Sequence, residues 1–185
     1  MMKEEKPMSD VRLIERWLPI AEIGAEGVRE RTPMTPFPAP NRLHVWWARR
    51  PLIASRAAIL ASMLPPTADQ AKFLWALGIH GDPIASKRRI ERAKRSGERF
   101  EGEAYAYKRA FTYTPSPEEL DDLGFLDRSR FSVLDPTAGG GSIPFEGMRL
   151  GLASFANDLN PVAALILEAT VDYPRRFKDG LVHEY

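Results

Sequence analysis

Apolar positions along the 185-residue chain fall into three patterns: helical spacing at the front, a charged middle without a sustained period, and a last third in which short apolar runs alternate with helical stripes. Val11, Leu13, Ile14, Trp17 and Leu18 recur at helical spacing, so residues 9–18 (SDVRLIERWL) predict a short amphipathic helix stopped near Pro19. Pro33, Pro36, Pro38 and Pro40 then stiffen TPMTPFPAP into an extended strap. After HVWWARRP a second helix begins. Pro51 suits its first turn, Ile53, Ala57, Leu60 and Leu64 form an apolar stripe, and Pro65 with Pro66 ends it.

From Ala68 to about Tyr113 the charge density rises, and KRRIERAKRSGERFEGEAYAYKRA predicts one or two solvent-facing helices broken at Gly97 and Gly102, as an insertion or surface excursion. SPEE at 116–119 is a capping box: Ser116 caps, Pro117 takes the first helical position, Glu119 follows three residues after the cap, and Gly124 stops the helix. The remainder reads β-α-β-α. FSVLD is a strand, TAGGGS a glycine loop, IPFEGMRLG a helix ended by Gly151, ASFAND a second strand, and NPVAALILEAT a helix capped by Asn160 with Pro161 in its first turn. The divisions expected are a helical N-terminal domain at 1–66, a charged helical insertion at 67–113, and the start of an α/β domain at 114–185.

Net charge changes this picture little. With 26 basic and 25 acidic residues the balance is +1, so any affinity for a polyanion has to come from local clustering. Two clusters stand out. No acidic residue occurs between Glu30 and Asp69, where Arg31, Arg42, Arg49, Arg50 and Arg56 sit with His44, Trp46 and Trp47, and Lys87, Arg88, Arg89, Arg92, Lys94, Arg95 and Arg99 form a run suited to phosphate contacts. The absence of cysteine excludes a disulfide framework, a thiolate zinc site and a cysteine nucleophile. The three histidines have no metal-ligand spacing, and the longest apolar stretches fall far short of the roughly 18 residues of a membrane span. A cytoplasmic protein without a membrane partner is expected.

The chemistry concentrates at the glycine loop. A strand ending in Asp135 that passes through Gly139, Gly140 and Gly141 into a helix puts backbone N–H groups and a carboxylate at the carboxyl edge of a parallel sheet. Asp158 ends the next strand 23 residues later. That spacing is near the ~20 residues separating a glycine turn from a ribose-binding acid, since one helix and one strand bring the chain back to the same edge. The loop lacks the Gly-Lys-Ser/Thr ending of a phosphate-gripping P-loop, and Pro144 falls where a dinucleotide fingerprint needs a small residue. What fits is a cofactor with a ribose and an amino-acid tail.

DPTAGGGS (135–142) resembles the Asp-Pro-x-x-Gly-x-Gly-Ser/Thr motif by which amino-group DNA methyltransferases bind S-adenosylmethionine, and NDLNP (157–161) resembles their second cofactor motif. Residues 12–27 and 44–64 are similar to the domain of unknown function at the N-terminus of large bacterial and archaeal adenine-specific DNA methylases. Thr137 departs from the family, which often carries phenylalanine there. The resemblance implies an α/β chain with an incomplete Rossmann-like methyltransferase fold behind a mostly helical N-terminal region. It implies that Asp135, Pro136, Thr137, Ala138, Gly139 and Gly141 surround the methionine portion of S-adenosylmethionine, that Asp158 accepts from the ribose hydroxyls, and that Leu159 and Asn160 lie beside the adenine. Trp46, Trp47, Arg49 and Arg50 form a further candidate cofactor segment, and Thr114 competes with them for that place.

Methylating a flipped base needs a pocket that orients its amine, built in this family from Asn/Asp/Ser-Pro-Pro-aromatic. No such motif occurs in the chain. The expectation is therefore the cofactor-binding N-terminal part of a DNA adenine-specific methyltransferase of restriction-modification or phage defence, a fragment or one piece of a split or truncated gene, inactive without a C-terminal catalytic part. Two rivals remain: a non-catalytic nucleic-acid-binding or regulatory module with a relic cofactor loop, and another nucleotide-dependent Rossmann-like enzyme.

Overall fold

The computed structural model describes residues 11–32, 37–97, 104–125 and 127–177. Where a helix is expected at 9–18, the chain makes one 3-10 turn, Leu13–Glu15, and the helix proper, α1 (Ile20–Arg31), starts after Pro19. The apolar pattern hid α1 because its inner face carries two carboxylates, Glu26 and Glu30, which are 2% and 3% exposed. α2 (Ala39–Leu43) ends the strap, and Pro33 and Pro36 lie outside the described residues. α3 (Leu52–Met63) forms as the stripe predicts, with Ile53, Ala57, Leu60 and Leu64 all buried.

The charged middle holds α4 (Gln70–Ala76) and α5 (Pro83–Ser96), which closes on Gly97 in the left-handed region at φ 69°. Arg99 and Gly102 lie outside the described residues. Residues expected in a surface excursion enter the core: Phe73, Ala76, Leu77, Ile79 and Ala110 share one cluster with Ile53, Leu60, Val133 and Leu150. α6 (Pro117–Asp122) carries the expected box. Ser116 Oγ accepts from the Glu119 N–H at 3.2 Å and the Glu119 carboxylate accepts from the Ser116 N–H at 2.7 Å.

The last third is β1 (Ser132–Asp135), α7 (Ser142–Arg149), β2 (Ala153–Ala156) and α8 (Pro161–Leu167), which continues through a π turn at Glu168–Asp172 into α9 (Tyr173–Phe177). The strands pair in parallel, from Ser132 with Ala153 to Asp135 with Ala156, so the molecule is a helix-rich α/β arrangement around a two-stranded parallel sheet. α7 covers one face closely. A β-carbon on Gly147 would lie 3.3 Å from Val133 Cγ2 and 2.5 Å from Ser154 Oγ, so only glycine permits this approach. The other face shows Leu134 and Phe155, neighbours in register, at 71% and 59% exposure. No helix among the described residues is long and apolar enough to cross a membrane.

A buried ion pair fastens α3 to α7. Arg56 Nε donates to Glu146 Oε2 at 2.7 Å and Nη2 to Oε1 at 3.3 Å, both side chains being fully buried. Arg56 Nη1 donates to the carbonyls of Leu77 and Ala110, and Arg149 reaches Glu146 from the next turn at 2.7 Å. Desolvating charges in this way is tolerable only because each finds a partner.

Candidate functional site

Because β1 and β2 are parallel, the chain leaves both at the same carboxyl edge, where Asp135 and Asp158 meet the glycine loop. The edge is closed by backbone bonds: the Asn157 N–H donates to the Asp135 carbonyl and the Ala138 N–H to the Asn157 carbonyl, each at 2.9 Å. Asp158 adds a side-chain link. Its Oδ1 accepts from the Asn160 N–H at 2.9 Å and its Oδ2 from the Gly139 N–H at 2.7 Å, joining the first glycine loop to the cap of α8. These amides, Asn160 first and Gly139 next, hold the Asp158 carboxyl below its ordinary value, so it is an anion at neutral pH.

Asp135 is 8% exposed and accepts from the Thr137 N–H at 3.2 Å, which turns the chain into the loop. Pro136 and Thr137 are exposed while Ala138, Gly139 and Gly141 are buried. Asn160 uses its side chain to cap α8 through the Val162 N–H, and Leu159 is 99% exposed. Ser142 opens α7 directly after the loop. It is 4% exposed, and its Oγ has no hydrogen-bond partner among the described residues. Leaving a buried hydroxyl unmatched costs about 1–3 kcal/mol, which a polar ligand at the loop would offset.

The segment 44–51 (HVWWARRP) that follows α2 lies over this loop. A β-carbon on Gly139 would come within 2.7 Å of Trp46 Nε1, and one on Gly140 within 2.7 Å of Trp46 Cβ, so the glycine run makes room for an indole 93 residues earlier than Gly139. Trp47 stacks obliquely on Trp46 at 5.4 Å and is 87% exposed. Arg49 donates to Glu30 at 2.5 Å, while Glu30 also accepts from the Leu52 and Ile53 N–H groups and so caps α3 from a neighbouring helix. That arrangement fixes the C-terminal end of the tryptophan-bearing segment at the start of α3, and Arg50 stays exposed. Thr114 lies elsewhere: its Oγ1 accepts from Arg149, at the opposite end of α7 from the loop. Of the two competing segments, it is the one carrying Trp46 that the fold brings to the glycines.

A groove of about 320 Å³ opens beside Asp158, between α7 and the α8–α9 helix, floored by Ser154 and Ala156 of β2. This is the low end of the ~300–1000 Å³ usual for small-molecule sites. The basic run lies on α5, away from the loop. Lys87, Arg88, Arg92, Lys94 and Arg95 are exposed there, whereas Arg89 donates to the Ala104 carbonyl at 3.0 Å. Arg42 is exposed on α2.

Sequence reasoning missed Glu26, Glu30 and Glu146, and it set Arg56 in a basic cluster open to nucleic acid, whereas Arg56 is fully buried and paired with Glu146. A signal existed for Arg56 and Glu146: each is a lone charge within an otherwise apolar stretch, AAIL-flanked in one case and IPF-flanked in the other. Each half of the pair reads as an exposed residue until its partner is known.

A family model described as a protein of unknown function (DUF1156) matches residues 17–80, a span running from Trp17 through α1, α2, α3 and α4 to His80. No curated protein and no solved structure matches the chain. The matched segment contains Trp46, Glu30 and Arg56, so it supplies both the indole on the glycine loop and the arginine bonded to α7.

Proposed function

We propose that this chain is the S-adenosylmethionine-binding N-terminal portion of a DNA adenine-specific methyltransferase, with a Rossmann-like sheet begun by β1 and β2. The observation that carries the reading is Asp158, an ionised carboxylate at the end of β2 whose two oxygens are aimed by Asn160 and Gly139. Each oxygen keeps acceptor capacity beyond its one amide, which suits vicinal ribose hydroxyls. The unmatched Ser142 Oγ beside the buried glycines suits the polar tail of the same ligand. These features fit the donor and acceptor set of S-adenosylmethionine, which when bound supplies an electrophilic methyl group for transfer to an amine.

The protein's own residues divide the work. Asp158 orients the ribose, the backbone of 137–141 and Ser142 receive the methionine end, and Trp46 excludes water from the loop. Orientation of the adenine amine needs an Asn/Asp/Ser-Pro-Pro-aromatic segment, which the 185 residues lack, so this portion acts with a catalytic segment that supplies it. Restriction-modification or phage defence is the setting the resemblance implies.

The reading is tested by titrating the chain with S-adenosylmethionine and separately with a nicotinamide dinucleotide while following tryptophan emission. Saturable change with the first alone, abolished by Trp46→Phe, is expected. Tighter retention of the dinucleotide would instead make the chain a different nucleotide-dependent enzyme.

A further inference from the structure

We propose that the groove between α1, α5 and residues 104–112 is a nucleic-acid site that holds a phosphodiester backbone, separate from the glycine loop. The proposal rests on the methyltransferase reading only for the choice of DNA over RNA. The groove has a volume of about 1240 Å³, above the ~300–1000 Å³ of small-molecule pockets, so its occupant is an extended chain. α1 forms one wall through Ala25 and Val28, α5 the other through Lys87, Ile90 and Lys94, and Tyr105 and Tyr107 lie between them.

Charge and aromatic surface coincide here. Lys87, Lys94 and Lys108 are exposed cations on the lining, against one lining carboxylate, Glu91. Arg29 Cζ lies 3.8 Å from the centre of the Tyr105 ring and is anchored by Glu26 and by the Tyr107 carbonyl at 2.8 Å. Arg109 borders the same space, where burial first and Arg29 second lower its pKa against the opposing carboxylate of Glu26. On the adjacent face of α5, Arg88, Arg92 and Arg95 follow at i, i+4 and i+7, exposed and without an ion pair among the described residues. A charged helix face alone is ordinarily just solvated. This groove is different, because it sets two tyrosine rings between Arg29 and the lysines of α5 and so pairs phosphate attraction with aromatic surface for bases. An acidic protein segment would use the cations and leave the rings without a role.

The test is fluorescence anisotropy of the whole chain with labelled single- and double-stranded DNA of about 16 nucleotides, between roughly 50 and 200 mM salt. Lys87→Gln with Lys94→Gln is expected to weaken binding about tenfold and flatten the salt dependence by about 1.4 to 1.8 in log–log slope, the effect of two phosphate contacts. Arg16→Gln with Arg130→Gln, the same loss of charge at exposed positions off the groove, is expected to change neither. Equal loss in that control would reduce the effect to net charge and overturn the proposal, as would tighter binding of polyglutamate than of DNA. Calorimetry with S-adenosylmethionine separates the two readings. Cofactor binding without DNA binding removes the groove, whereas groove-dependent DNA binding without cofactor binding upholds it and removes the methyltransferase reading.

Discussion

Glu146 is the residue on which two arginines depend. Arg56 and Arg149 both donate to it, and Arg56 has no access to solvent. Glu146→Gln should cost about 3–5 kcal/mol in denaturant unfolding, because it leaves buried guanidinium charge without a counter-ion. Arg56→Met should cost less, since Arg149 still neutralises the carboxylate. Asp158 makes a prediction of the opposite, exposed kind. Its folded pKa is depressed, so the stability its two amide bonds contribute is present above the unfolded value of about 3.9 and disappears as pH falls through the lower folded one. Wild type should therefore lose an increment of stability below about pH 4 that Asp158→Asn does not show when both are unfolded across the acid range. Equal acid sensitivity in the two proteins would contradict the hydrogen bonds assigned to this carboxylate.

Among the elements, Trp46 of the segment between α2 and α3 packs against the glycine loop. Gly140→Ala would drive a methyl into the Trp46 backbone side, 2.7 Å from its Cβ, where neither atom is the end of a flexible chain. The expected result is a destabilisation of about 1–3 kcal/mol with a red shift of tryptophan emission as the indole leaves the loop, and an unshifted spectrum would contradict the contact. The loop and its flanking elements were legible in sequence because their signals are local: apolar strand, glycines, Asn160 cap and Pro161 all lie within 30 residues. The Ser116 capping box was legible for the same reason. α1 was not, because its buried face is Ala25, Glu26, Gly27 and Glu30, a pattern with no apolar stripe. Its carboxylates are made tolerable by donors far along the chain, Tyr107 and Ala110 for Glu26 and Arg49 with the start of α3 for Glu30. Long-range pairing of that kind leaves no periodic trace.

Across the whole molecule, the segment matched by the family model and the strand-and-loop segment share one core and one buried ion pair. Sequence divided them because their compositions differ, and the dividing stretch at 67–113 looked solvated through its lysines and arginines. Phe73 and Leu77 within it are fully buried, on α4 and at its C-terminal end, while the charge lies on α5. The same organisation lets an N-terminal helical segment bear on a glycine loop distant in sequence: its tryptophan covers the loop and its arginine holds the helix that the loop enters. Calorimetric titration of the chain and of Asp158→Ala with S-adenosylmethionine decides whether the Asp158 edge holds that ligand, as proposed. Saturable binding by the wild type, lost in a variant that retains its helical circular dichroism, is the predicted result. Absence of binding by the folded wild type, or undiminished binding by Asp158→Ala, would contradict it.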